Sequence, residues 1–227
     1  MKKKINSRNL VWYFITLILW SSLCSGAEKH LPNEIRWIRE SQEYESLCRQ
    51  IYTHAKEKIG KIAKDSDSNL AVVIDLDETV LDNSQYQVER SRSGLSFTQE
   101  SWSKWVQRRE ASLVPGAKGF LNRARELGFK IIFLSNRMHG NLNPTKENLE
   151  ALGVLDPSDI FLLRRNKADT KQIRRNEVLQ GKGRLKRLGS LKVVAYLGDQ
   201  MGDFPTGKNL KIGTNIFVFP NPMYGKW

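Results

Sequence analysis

Ala71-Val72-Val73-Ile74-Asp75-Leu76-Asp77-Glu78-Thr79 sets an apolar run, opened by Leu70, directly against two aspartates spaced i, i+2. A short, β-branched run of this kind predicts a strand buried on both faces, as in a parallel sheet. Side chains two apart on an extended segment point the same way. Asp75 and Asp77 are therefore expected to emerge together at the carboxyl end of a central strand, where open α/β sheets place their ligands. Two carboxylates at such an edge need a cation between them.

Working outward, further strands are expected over Phe129–Leu134, Asp159–Leu163, Lys192–Leu197 and Asn215–Phe219. Helical periodicity separates them: Asn33 (as N-cap) to about Lys64, Ala117–Leu127 closed by Gly128, a helix opened by Asn143-Pro144, and Thr170–Leu179. Strands alternating with helices predict α/β architecture, with a parallel sheet flanked by helices. Residues 82–114 interrupt the alternation. They are polar and aromatic, Thr98 is placed to cap a helix carrying Trp102 and Trp105, and the segment reads as a small helical cap insertion over the sheet edge.

The chain of 227 residues carries a net charge of +13, four of those positives being Lys2, Lys3, Lys4 and Arg8. An uncharged apolar run, Leu10–Trp20, and the small residues Ser25-Gly26-Ala27 follow. This order predicts a secretory signal over 1–27, cleaved after Ala27. The run is shorter than the roughly 20 residues of a spanning helix. The expected location is periplasmic or secreted. Cys24 allows lipidation, but Leu23 fits a lipobox poorly, so an outer-membrane lipoprotein is disfavoured and membrane attachment is expected only if Cys24 is lipidated. The domain over 28–227 keeps Cys48 alone, which excludes an intrachain disulfide there. The remaining excess of positive charge favours anionic ligands, although no nucleic-acid motif accompanies it.

Polar clusters close three strands: Asp75/Asp77, Ser135/Asn136, and Asp199/Asp203. In a parallel sheet these ends share one edge. Converging carboxylates need a divalent cation, and oxygen ligands suit Mg²⁺. A calcium loop starting at Asp75 fails, because Thr79, Val80 and Tyr86 occupy the positions that require an acid or amide, Gly and Glu.

Asp75-Leu-Asp-Glu-Thr-Val-Leu-Asp-Asn83, with Tyr86, resembles the first signature of the haloacid-dehalogenase-like (HAD) phosphatases, and more narrowly the bacterial class C acid phosphatases, which include 5′-nucleotidase surface lipoproteins. Ser135, Lys171 and Gly198-Asp199-x-x-x-Asp203-Phe204 are similar to the remaining motifs, and Pro220–Trp227 to the family's ending. Met201 stands where a leucine is usual. The resemblance covers roughly 33–227 and implies a Rossmann-like HAD domain acting as a secreted, Mg²⁺-dependent acid phosphatase. Its expected substrates are small phosphate monoesters, nucleoside 5′-monophosphates foremost, and not nucleic acid; a homodimer stays open. By this resemblance Asp75 is the nucleophile that forms an aspartyl-phosphate, and Asp77 the acid/base. Asp75, Asp77 (through its carbonyl), Asp199 and Asp203 form the metal site. Ser135 and Lys171 bind the transferring phosphoryl, with Lys167 competing for the second role and Asn136 and Arg137 within reach. Tyr86, Trp102, Trp105 and Tyr224 are the candidates for stacking on a flat leaving group. The alternative is a non-catalytic phosphate-ester binding or storage protein on the same fold.

Overall fold

The computed structural model describes residues 30–63, 69–207 and 210–225. The proposed signal, its Cys24, and the final Lys226-Trp227 lie outside these. Two helices, α1 (Asn33–Glu40) and α2 (Gln42–Ala63), lead into β1 (Leu70–Ile74). Next come β2 (Leu81–Asp82), α3 (Ser84–Arg92), α4 (Gln99–Arg108) and β3 (Ser112–Leu113). The chain then alternates through α5 (Ala117–Glu126), β4 (Lys130–Phe133), α6 (Leu142–Ala151), β5 (Ile160–Phe161), α7 (Lys171–Gln180), β6 (Lys192–Gly198) and β7 (Ile216–Val218).

The main sheet is parallel, in the order β5-β4-β1-β6-β7, so β1 is central. All five of its residues are buried. Their alternation splits the core into two layers. Val72 and Ile74 pack with Ile131, Phe133, Leu197 and the α2 and α5 faces. Ala71 and Val73 pack on the other side with Ile132, Tyr196, Val178 and Phe204. Burying each of Val72, Val73 and Ile74 contributes about 1.5–3 kcal/mol, which fixes the register and therefore the direction in which Asp75 leaves the sheet.

Four local expectations change. The single helix expected over 33–64 is broken at Ser41, whose ψ of 139° is extended. Ser41 Oγ accepts the Tyr44 N–H at 3.1 Å and so caps α2. Periodicity alone cannot see this break, because Ile38 before it and Tyr44, Cys48 and Tyr52 after it face the same core. Leu47, which helical periodicity places near that face, is exposed. Asn33 is the first helical residue, and Pro32 holds the cap position. Helix α6 starts at Leu142, after a 3₁₀ turn over His139–Asn141, so Pro144 falls at its third position. A proline there costs no helical bond, since first-turn N–H groups have no partner within the helix.

The insertion contains the expected Thr98-capped helix, with Thr98 Oγ1 and the Ser101 N–H closing a capping box. It also contains α3. The antiparallel pair β2–β3 clamps its base, with Leu81 opposite Leu113.

Candidate active site

The Asp75 N–H donates to Leu197 O at 2.9 Å, and Ile74 O accepts from Leu134 N at 2.9 Å. The carboxyl end of β1 is thus held between β4 and β6 up to its last residue. Beyond it the chain turns sharply. Leu76 O accepts the N–H groups of Val80 and Leu81, and Glu78 takes a left-handed φ of 55°. This turn presents Asp75 and Asp77 from one strand end, as the i, i+2 spacing requires.

Lys171 reaches that end from the first turn of α7. Its Nζ lies 2.6 Å from Asp75 Oδ1 and 2.5 Å from Asp203 Oδ1. Burial pulls the ammonium's pKa down, but the two carboxylates outweigh it and hold it above its ordinary value. Burial pushes the Asp75 carboxyl well up, against the pull of Lys171, with Asp203 and Asp199 adding to the rise. Asp199 is pushed up to about 7 by burial and by Asp203. Lys167, the competing lysine, is exposed.

Asp203 offers Oδ1 to Lys171 and uses Oδ2 to accept the N–H groups of Asp199 and Gln200, at 3.1 and 3.0 Å. That clamp depends on Gly198, where a Cβ would sit 2.5 Å from the Asp203 Cβ. Asn221, in the tail, donates to Asp199 Oδ2 at 2.7 Å. Carboxylate oxygens of Asp75, Asp199 and Asp203 lie within 4.8 Å of one another. An all-oxygen donor set in which burial and neighbouring carboxylates push Asp75 and Asp199 toward neutrality fits a hard divalent cation, which relieves both effects.

Asp77 has its own ring of donors. Arg137 Nε and Nη2 approach its Oδ1 at 2.8 and 2.7 Å, Asn83 Nδ2 the same oxygen at 3.1 Å, and Ser135 Oγ its Oδ2 at 3.3 Å. Arg137 also donates from Nη1 to Thr145 Oγ1 at 3.1 Å. Each of its three guanidinium nitrogens thus has a partner within the protein, although Arg137 also lines the cleft. Asn136 lines the cleft and accepts at Oδ1 from Arg174 Nη2 at 2.7 Å, leaving its amide hydrogens unassigned. Arg174, fully buried, also donates to Ser135 O and, at 2.9 Å, to Leu162 O. It ties the β4 end to α7, a job the Lys-x-x-Arg spacing does not reveal.

These groups form the floor of a cleft of about 480 Å³. Trp102 and Tyr224 line it, as expected for stacking residues; Phe97, 60% exposed, joins them, and so do Gln87 and Arg164. Tyr86 and Trp105 do not. Tyr86 is buried, its ring edge-on to Trp102 at 5.0 Å and its hydroxyl 2.8 Å from Ser101 Oγ. Trp105 is buried with its indole N–H on Asn83 Oδ1 at 2.8 Å. Both are the insertion's own core, which corrects the expectation that they stack on a leaving group. Helical spacing places two tryptophans on one face but does not say how deep each sits.

The sequence matches the description of the HAD superfamily, subfamily IIIB (acid phosphatase), over residues 17–227. The chain belongs to this family. Its fold superposes on the class C acid phosphatase from Bacillus anthracis with a TM-score of 0.72 and 30% identity, covering 85% of this chain and 84% of that one. The same enzyme with tungstate bound gives a TM-score of 0.72 at 31% identity. Among plant relatives, a stem 31 kDa glycoprotein of Glycine max is 28% identical over 157 residues, and acid phosphatase 1 of Solanum lycopersicum 28% over 158. Each match takes in 67% of this chain but only 58% and 57% of those relatives. The subfamily IIIB membership accounts for the parallel sheet and for an acidic edge able to hold a divalent metal. Among the described residues, no helix is long and apolar enough to cross a membrane.

Proposed function

We propose that the protein is a secreted or periplasmic, Mg²⁺-dependent acid phosphatase that hydrolyses small phosphate monoesters through an aspartyl-phosphate at Asp75. The observation that carries this reading is the convergence of Asp75, Lys171, Asp199 and Asp203 at one sheet edge, on the floor of a cleft. Binding of tungstate, a tetrahedral oxyanion shaped like phosphate, by the Bacillus enzyme supports the same substrate class. The N-terminal charge and hydropathy pattern, and a relative named as a glycoprotein, support export.

In the first step an Asp75 carboxylate oxygen bonds to phosphorus while the bond to the ester oxygen breaks. That bond's electron pair stays on the leaving oxygen, which takes the proton held by Asp77. In the second step Asp77 removes a proton from water, whose oxygen displaces the Asp75 carboxylate from phosphorus. Lys171, already within 2.6 Å of Asp75, supplies fixed positive charge where the phosphoryl oxygens must sit. Asp75, Asp199 and the Asp77 carbonyl would hold Mg²⁺, with Asp203 beside them; when bound, the ion neutralises charge on the phosphoryl group and the nucleophile. Asn136 and Ser135 stand at the neighbouring strand end to take further phosphoryl oxygens. Trp102, Phe97 and Tyr224 give the cleft an aromatic wall suited to a flat leaving group, which favours nucleoside 5′-monophosphates. Release of phosphate from an aryl phosphate tests the reading. Asp75→Asn and excess chelator should each abolish it, and full activity in either would refute it.

A further inference from the structure

Donors fall unevenly on the two oxygens of Asp77. Oδ1 carries Arg137 Nε, Arg137 Nη2 and Asn83 Nδ2, at 2.8, 2.7 and 3.1 Å. Among the described residues, Oδ2 carries only the Ser135 hydroxyl at 3.3 Å, and that hydroxyl already accepts the Arg137 backbone N–H at 3.1 Å. An oxygen that accepts two N–H hydrogen bonds, with a second guanidinium nitrogen in ion-pair contact, has no room for a hydrogen of its own. The donors are themselves pinned. Arg137, 1% exposed, is fixed by Thr145 on α6, and its Nη2 also donates to Asn83 Oδ1 at 3.2 Å. That same Asn83 oxygen accepts the Trp105 indole N–H from α4 at 2.8 Å. The chain of contacts runs from the core of the cap insertion, through Asn83 and Arg137, to one oxygen of Asp77.

We propose that Arg137 and Asn83 are positioning residues for the general acid, which block Oδ1 and leave Oδ2 as the oxygen that carries and delivers the proton. Trp105 and Thr145 hold this pair in place, so proton delivery depends on the insertion being correctly seated on the domain. The inference rests on the phosphatase reading, in which Asp77 protonates the leaving oxygen. It assigns to Arg137 a function other than phosphate binding, and to Trp105 one other than stacking.

Leaving-group dependence tests it. An alkyl phosphate expels a strongly basic alkoxide and needs the proton; a nitro-substituted aryl phosphate expels a stable phenolate and needs it little. The parameter is kcat/KM, which reports the step that releases the leaving group. The variants are Arg137→Lys, which keeps the charge but loses the fork, and Asn83→Ala, so that a misfolded first variant leaves the second to decide; folding is checked by thermal melting. A folded variant should lose roughly tenfold or more on the alkyl ester beyond any loss on the aryl ester, a part of the 10²–10⁴ that general acid catalysis supplies. Equal losses on both esters, leaving the ratio as in the wild type, would mean a merely structural role and overturn the proposal. Wild-type turnover of both esters and its loss in Asp75→Asn serve as controls, so an unchanged ratio with these intact refutes the positioning and not the phosphatase reading.

Discussion

Lys171 joins Asp203 to Asp75, whose carboxyl burial pushes toward its neutral form. Removing one partner of a buried ion pair strands the other. Lys171→Ala should therefore cost about 3 kcal/mol, the low end for such a loss because Asp75 can take up a proton; denaturant midpoints at neutral pH measure it. Gly198→Ala acts on the same cluster from below, driving a methyl group into Asp203. It should lower turnover and divalent-cation affinity together, read by kinetics and calorimetry. Asp199 gives the site a pH dependence. Its folded pKa of about 7 lies above its ordinary 3.8. The metal-free folded state therefore keeps a proton that the unfolded chain releases, and its stability falls as pH rises between those two values. A cation must displace that proton. Its affinity, measured by calorimetry from pH 5 to 8, should rise with pH and level off above about 7; a flat profile would contradict the assignment. The aspartates of this site were legible in the sequence because strand parity and parallel topology are local rules. The choice of Lys171 over Lys167 came from the family's motif, and contact with Asp75 agrees with it. The partners of Arg137 were not legible, because a long side chain finds its acid through tertiary packing rather than spacing.

At the scale of elements, the insertion is where sequence and structure part most. Thr98 was readable as a cap because its chemistry lies within one turn. Thr98→Ala should cost about 1 kcal/mol, seen as a small drop in melting temperature. The depth of each aromatic was not readable, since Tyr86, Trp102 and Trp105 share one pattern and only Trp102 reaches the cleft. Trp102→Ala should raise KM for aryl and nucleoside phosphates several-fold more than for small alkyl phosphates. The break at Ser41 was missed for a similar reason. One extended residue leaves the apolar face of α1 and α2 in phase, and its only local mark is a serine able to cap.

For the whole molecule, the sheet order was accessible only in outline. Alternating strands and helices predict a parallel sheet, and two apolar layers around β1 fulfil that. The outer positions of β5 and β7 come from crossovers that sequence pattern does not order. The parallel arrangement is what gathers residues as distant as Asp75, Ser135, Lys171 and Asp203 at one edge, and the reaction proposed there depends on Asp75 becoming phosphorylated. The direct test is to quench the enzyme during turnover of a good aryl phosphate and map the covalent phosphate by mass spectrometry. The account predicts an acyl-phosphate on Asp75, absent in Asp75→Asn. Phosphate trapped on any other residue, or Asp75 remaining unmodified while turnover proceeds in a trap that captures acyl-phosphates, would contradict it.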